Sequence, residues 1–385
     1  MDPHGSTAQR FPLVARFRPA CLPLPKRVRA LVDLADTAVT ETDQGVASSV
    51  YNQAALIASD LGLSDLAREM CHEHAAAYLH ACPLPAMSAI RGLEPVVNLA
   101  RLQIRGGHAE VGRQWLLDLY AAVEAGTPAR FEGIQIPADL TATDKDRHEV
   151  VAWLWRVLLA DGTRALTAEG RWSEALAHME THRGVGRRML DGRQVAVLAS
   201  LAAGDTAHAA TLLAGTVPGE PWEQTVTACL TALWRRDAGQ PVGGHLADLA
   251  DAYLERKAEP GMTVFDIRLG LTVLDVVGSA DFPAACRIAE DLHRRATEAE
   301  DGYAARENLA NSPFIELATN RQEQDCRALV RACALGAEAL PDQMQGALSA
   351  ALRAADSVIR KSLVPSTPLS PRWECLGGDG PSLYL

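Results

Sequence analysis

The densest run of potential metal ligands in this chain is Cys71-His72-Glu73-His74, followed by His80 and Cys82. Thiolate, imidazole and carboxylate are what a zinc ion binds, usually four at a time in a tetrahedron. The spacing argues against such a site. On a helix Cys71, His74, Tyr78 and Cys82 share one face but spread over about 16 Å at 1.5 Å per residue, while His72 points elsewhere. Neither HExxH nor CxxC occurs. Cys71 and His74 therefore read as packing residues, and no metal and no cofactor is assigned.

Other chemistry is sparser still. His108, His148, His178, His182, His208, His245 and His293 stand alone in sequence, and GxSxG, GxGxxG and the phosphate loop are missing. Gly184-Val185-Gly186-Arg187-Arg188 joins glycines to arginines without the preceding strand a phosphate loop needs, so it reads as a connection between helices. Trp172 falls at a turn, where it would staple neighbouring helices. Trp153 and Trp155 lie roughly 200° apart on a helix, so one faces outward, where it could anchor a ligand.

What must position these residues is a helical chain. Its 385 residues exceed one ordinary core, so two domains or one extended array are both natural. The net charge of −11 argues against a nucleic-acid partner, which needs a clustered basic face, and against docking on anionic lipid. No apolar run approaches the roughly 18 residues of a membrane span, and residues 1–18 lack the apolar core of a secretion signal. With eight scattered cysteines, the expectation is a cytoplasmic protein with reduced thiols.

Punctuation by glycine sets the organisation. Gly170-Arg171-Trp172-Ser173-Glu174-Ala175 closes one amphipathic helix and opens the next, and Gly204-Asp205-Thr206-Ala207-His208-Ala209 repeats the device 34 residues on. Further turns are expected at Gly62, Gly106-Gly107, Gly239 and Gly278 to Asp281, giving about six helical hairpins. Ser64-Asp65 is expected to cap the second helix of the first hairpin. Prolines 12, 19, 23 and 25 disfavour a stable helix before Lys26, so residues 1–25 form an irregular arm, packed on the array or disordered. Residues 126–147 read as a long loop near a binding face. Helices are expected near 26–40, 283–299, 325–339 and 341–362. The last carries Met344, Leu348, Leu352, Ala355 and Ile359 on one stripe and would cap the open end of the stack.

These residues resemble tetratricopeptide repeats. With Ala67 at repeat position 20, Ala55 falls at position 8, Tyr51 at position 4 and Gly62 at position 15. With Ala175 and Ala209 at position 20, Gly170 and Gly204 fall at position 15. Position 8 of the third hairpin departs, being Thr163. The resemblance covers roughly residues 45–300. It implies an all-α fold: a right-handed α-solenoid of tetratricopeptide-like hairpins over 26–300, behind the arm 1–25, with a C-terminal helical cap at 301–363 and a flexible tail at 364–385.

The resemblance also implies a concave groove lined by positions 2, 5, 9, 12 and 13. In the first hairpin these are Ser49, Asn52, Leu56, Ser59 and Asp60; in the second, Glu94, Val97, Arg101, Ile104 and Arg105. Later hairpins contribute Arg164 and Thr167, then Asp191, Gln194 and Leu198, then Arg268, Thr272 and Asp275. Asn52, Glu94, Arg101, Arg105, Arg164, Gln194 and Arg268 are the candidate binding residues. Amides can bond a peptide backbone and arginines can fork onto carboxylates, so an extended peptide or protein segment bearing acidic groups is the implied ligand.

A narrower likeness lies in Tyr51-Asn52-Gln53-Ala54-Ala55-Leu56-Ile57-Ala58-Ser59-Asp60. This run is similar to the repeat half of actinobacterial regulators, and to stand-alone proteins found beside enzymes that mature lanthionine-containing peptides. The implied role is binding in the maturation of a ribosomally made peptide. An alternative is a metal-independent enzyme adding a cysteine thiol to a dehydroamino acid, with Tyr51, Asp60, Arg101 and Arg105 as the nearest acid–base groups. A further alternative is a ligand-sensing regulator without its own DNA-binding domain, because the stretch before the first hairpin is too short and too proline-rich to hold one.

Overall fold

Side-chain caps start many of the helices. Asp43 accepts the amides of Gly45 and Val46, Thr143 that of Asp146, Asp205 that of His208, and Asn311 that of Phe314. Each satisfies donors that a helix start leaves open. Glycines in the left-handed region end the leading helix of each hairpin. Gly170 and Gly204 take φ of 70° and 76°, which a residue with a Cβ adopts only under strain. Gly62, Gly107, Gly239 and Gly278 stand at the equivalent turns.

The computed structural model describes residues 1–278 and 283–363. After the short α1 (Ser6–Gln9) and an extended stretch, α2 (Leu24–Glu41) leads into α3 (Gln44–Asp60) and α4 (Ser64–Leu79), then α5 (Ala86–Arg105) and α6 (Ala109–Ala125). Strands β1 (Ala129–Phe131) and β2 (Ile134–Ile136) pair antiparallel. Helix α7 (Asp144–Val157) passes through a π turn, Leu158–Gly162, into α8 (Thr163–Ala168) and α9 (Trp172–Thr181). The pairs α10 (Asp191–Ala202) and α11 (Thr206–Ala214), α12 (Pro221–Asp237) and α13 (Gly243–Leu254), and α14 (Thr263–Val277) and α15 (Pro283–Glu298) follow. The chain continues with α16 (Gly302–Leu309), α17 (Ser312–Leu317), α18 (Asn320–Ala332) and α19 (Asp342–Leu363). Apart from the one β-hairpin and an isolated bridge between Leu84 and Thr141, the regular structure of the described residues is helical. Most helices from α2 to α18 pack mainly on their sequence neighbours and next-but-one neighbours.

Several expectations change. Ser64 is the first residue of α4 and its side chain caps nothing; Leu63 holds the cap position. The segment 126–147 contains the β-hairpin, because Phe131, Ile134 and Ile136 have a core to enter. The arm takes the packed alternative, with Phe11 and Leu13 each 2% exposed, but it is not wholly irregular, since α1 forms within it. The helix expected at 325–339 runs from Asn320 to Ala332, started by a Thr319/Gln322 capping box. Helix α19, expected to cap the stack, packs on α2, α3 and α4. The expected flexible tail from residue 364 lies outside the described residues, as does the turn 279–281 beyond Gly278.

The apolar residues form two main cores. One gathers α2 to α7, the β-hairpin and α19; the other gathers the arm with α8 to α18. A seam joins the chain's two ends. Arg27 donates to Asp60 at 2.7 Å, Tyr303 donates to the same carboxylate, and the amides of Gly336 and Glu338 bond the Asp60 and Leu61 carbonyls at 2.7 Å each. Beside them the Cys333 thiol donates to the Cys21 carbonyl at 2.9 Å.

Candidate functional site

Along α3 and α5 the groove candidates form one polar line. Asn52 donates to Glu94 at 2.6 Å and accepts from Asn98 at 3.0 Å; Arg101 donates to Asn98 at 3.0 Å and, through two nitrogens, to Asp161 at 2.7 and 3.0 Å. Arg105 bonds the Ser59 hydroxyl at 2.8 Å. Asp161 sits in the π turn, whose extra residue re-aims a side chain and which recurs at functional sites. Desolvation raises the pKa of Glu94, partly offset by the Asn52 bond. Above Asn52 and Glu94 opens a cleft of about 430 Å³, walled by Leu34, Ser49, Met87 and Arg91. Met87 is 56% exposed there.

The second half of the same face is filled by the chain's own arm. The Gln194 amide takes both main-chain groups of Leu13: its oxygen accepts the Leu13 N–H and its nitrogen donates to the Leu13 carbonyl, each at 2.7 Å. The Gln194 nitrogen also bonds the Met189 carbonyl, and the side chain is fully buried. Arg10 and Thr7 converge on Asp275 at 2.5 and 2.7 Å, and Arg16 pairs with Asp191 at 2.8 Å. Trp172, buried at its turn as the sequence suggests, donates to the Pro3 carbonyl at 3.0 Å. Gln194, Asp191 and Asp275, all expected at groove positions, hold the arm: Asp275 holds α1 and its end, and Gln194 and Asp191 the irregular stretch after it.

Arg164 and Arg268 remain. Arg164 makes no hydrogen bond or ion pair among the described residues. Its residue is exposed, yet desolvation by the atoms around it and then the charge of Arg268 lower its guanidinium to about 10. Arg268 is half-buried; its nearest carboxylate is Glu307 at 3.6 Å, and its Nε lacks a hydrogen-bond partner. Desolvation, with Arg10 and Arg18 nearby, lowers its pKa as well.

The four acid–base candidates do not meet. Tyr51 is buried behind the groove, stacked on His74 with ring centroids 4.9 Å apart, and desolvation raises its pKa. Asp60 is committed to Arg27 and Tyr303, and Arg101 to Asp161. Arg105, like Arg101, stays exposed to solvent.

The Cys71–His74 run packs inside the first hairpin as its spacing indicates. Burial pushes the Cys71 thiol up to about 12 and holds the His74 imidazole down at about 3, with Ser48 Oγ at 2.6 Å from Nε2. Among the described residues no three His, Cys, Asp or Glu side chains converge on one point. Trp155 is the more exposed of its pair and bonds the His182 carbonyl at 2.9 Å; Trp153 packs on the first core. The Gly184 to Arg188 loop serves the fold, with Arg188 neutralising the buried Glu223.

Sequence reasoning missed Asn98, Asp161, Tyr303 and, above all, the arm as occupant. The arm's one signal is the alternation of buried apolar Phe11 and Leu13 with Arg10, Arg16 and Arg18. No family model matches the chain, and no curated protein and no solved structure matches it. No described helix is long and apolar enough to cross a membrane.

Proposed function

We propose that the hairpins form a right-handed tetratricopeptide-like solenoid whose concave face binds an extended peptide or an extended segment of a partner protein. The reading is carried by the Gln194–Leu13 pair. An amide that takes both main-chain groups of an extended residue recognises backbone without regard to its side chain, which suits a groove for peptides. Asn52 occupies the same repeat position as Gln194, one half-array earlier, beside an open cleft instead of an occupant. The ligand then lies along Asn52, Glu94, Arg101 and Arg105. The likeness of the Tyr51–Asp60 run supports a precursor of a ribosomally made peptide natural product as that ligand. The thiol-addition reading gains less support, since two of its four candidate groups are consumed by ion pairs and Tyr51 is buried in the core.

The test is thermal unfolding of the full-length protein with synthetic precursor peptides encoded beside its gene. A ligand at a hundred times its Kd adds about 2.7 kcal/mol of stability. That shift is expected for one of the peptides and is lost in the Asn52→Ala/Arg105→Ala double variant. No shift with any precursor overturns the reading.

A further inference from the structure

Twice the chain crosses from the second core to the first, and both crossings run through the seam. The arm, with Phe11 and Leu13 in the second core, gives way to α2 of the first; α18, with Cys326 in the second core, gives way to α19 of the first. A cysteine stands in each crossing, Cys21 ahead of α2 and Cys333 at the end of α18. They are 312 positions apart, yet Cys333 Sγ lies 2.9 Å from the Cys21 carbonyl oxygen. That oxygen also accepts the Gly302 amide at 2.8 Å. Gly302 leaves the pair its room, since a Cβ there would stand 2.7 Å from Cys333 Cβ and Sγ. Arg27 Nη1 lies 3.4 Å from Cys21 Sγ. A thiol so close to its partner's carbonyl keeps the two Cα atoms within about 8 Å, and a disulfide spans roughly 4.4–6.8 Å.

Burial pushes the Cys71 and Cys229 thiols up to about 12, and those of Cys82 and Cys326 up to about 11. Cys333 moves the other way, because the Cys21 thiol and the Gly302 amide donate to its thiolate. The same bond, with burial, raises Cys21. One sulfur of the pair thus ionises readily while the other keeps its proton. We propose that Cys21 and Cys333 form a reversible disulfide on exposure to a hydroperoxide, stapling the two crossings and so fixing the two cores to one another. The Cys333 thiolate attacks one peroxide oxygen and breaks the O–O bond, leaving a sulfenic acid; the hydroxide released takes up the thiol proton as water. The Cys21 sulfur then attacks the sulfenic sulfur. The S–O bond breaks, and its oxygen leaves with the Cys21 proton as a second water. Two thiols and one peroxide become one disulfide and two waters, each sulfur losing one electron and the peroxide gaining two. A dithiol reverses the step by exchange. Both cysteines are only 1% exposed, so the small oxidant enters through local opening of the seam. Neither cysteine lines the groove, so the inference stands apart from the peptide reading.

The test exposes the reduced full-length protein to hydrogen peroxide, then unfolds it, blocks the remaining thiols with iodoacetamide and maps the peptides by mass spectrometry. The Cys21 and Cys333 peptides are expected joined, lighter by two hydrogens, and separated again by dithiothreitol. The oxidised protein should melt at least about 3 °C above the reduced one, because the link closes a loop of most of the chain and restricts the unfolded state. Cys333→Ser and Cys21→Ser should each abolish both the link and the rise. Cys286→Ser, which removes an exposed thiol, should keep both. Recovery of Cys21 and Cys333 as separate alkylated thiols, as a sulfinic acid without a link, or linked to other cysteines overturns the proposal. A Cys21–Cys333 link that leaves the melting temperature unchanged overturns the staple.

Discussion

Gln194 of α10 and Asn52 of α3, expected at the same repeat position, meet different fates. Gln194 is fully buried, with both ends of its amide spent on Leu13. Asn52 is half-buried and bonds Glu94 and Asn98 beside an open cleft. In the second half an extended segment occupies the face; in the first, the lining side chains satisfy one another. The difference is one of occupancy: around Gln194 a main-chain segment of the arm takes the amide, while around Asn52 neighbouring side chains do.

If the arm is truly part of the second core and foreign to the first, its removal should damage one half only. Phe11→Ala is expected to cost about 3–5 kcal/mol, as for a fully buried phenylalanine. Amide exchange in Val195–Leu201 should accelerate while Leu93–Ala100 stays protected. Equal acceleration in both would mean one cooperative core and would break the comparison.

Acid should strike the first half through His74. Its folded pKa of about 3 lies below the ordinary 6.5, so protons bind the unfolded chain first. Stability is full above pH 6.5 and is lost on descending toward 3, at a limiting slope of about 1.4 kcal/mol per pH unit. Urea unfolding at pH 7, 5 and 4 should show this loss, and His74→Gln should flatten it.

The matched amides give the sharpest contrast. Gln194→Ala leaves the buried Leu13 N–H and carbonyl without partners and should cost about 2–3 kcal/mol. Asn52→Ala exposes its partners to cleft water and should cost about 1 kcal/mol. Similar losses at both sites would show that the first half is closed in solution. Smallest of all, Arg105→Ala should leave stability within about 0.5 kcal/mol, as befits an exposed side chain, and be felt only in peptide affinity.

Much of this surface was readable before any coordinates. The meeting of Asn52 with Glu94 follows from helix spacing, because residues on one helical face meet those of the next helix packed on it. The partners Asn98 and Asp161 were not readable. Asp161 reaches Arg101 only because a π turn shifts its direction, and no residue pattern announces that turn. Tyr51 looked available from its groove-bearing helix, but its position on the helix turns it into the core against His74.

Local rules decided the turns. A left-handed φ at Gly170 or Gly204 is a property of one residue, and a helical stripe such as Leu348, Leu352, Ala355 and Ile359 is a property of one segment, so both are written in the residues themselves. Which surface that stripe covers is not local: α19 packs on α2, α3 and α4, some 260 to 320 positions earlier in the chain. The arm is the same case. Leu13 finds Gln194 across 181 positions, and Tyr303 finds Asp60 across 243. Apolar burial has no direction and no address, so the chain states that these groups need partners, while only the assembled fold, by bringing its two ends together, selects them.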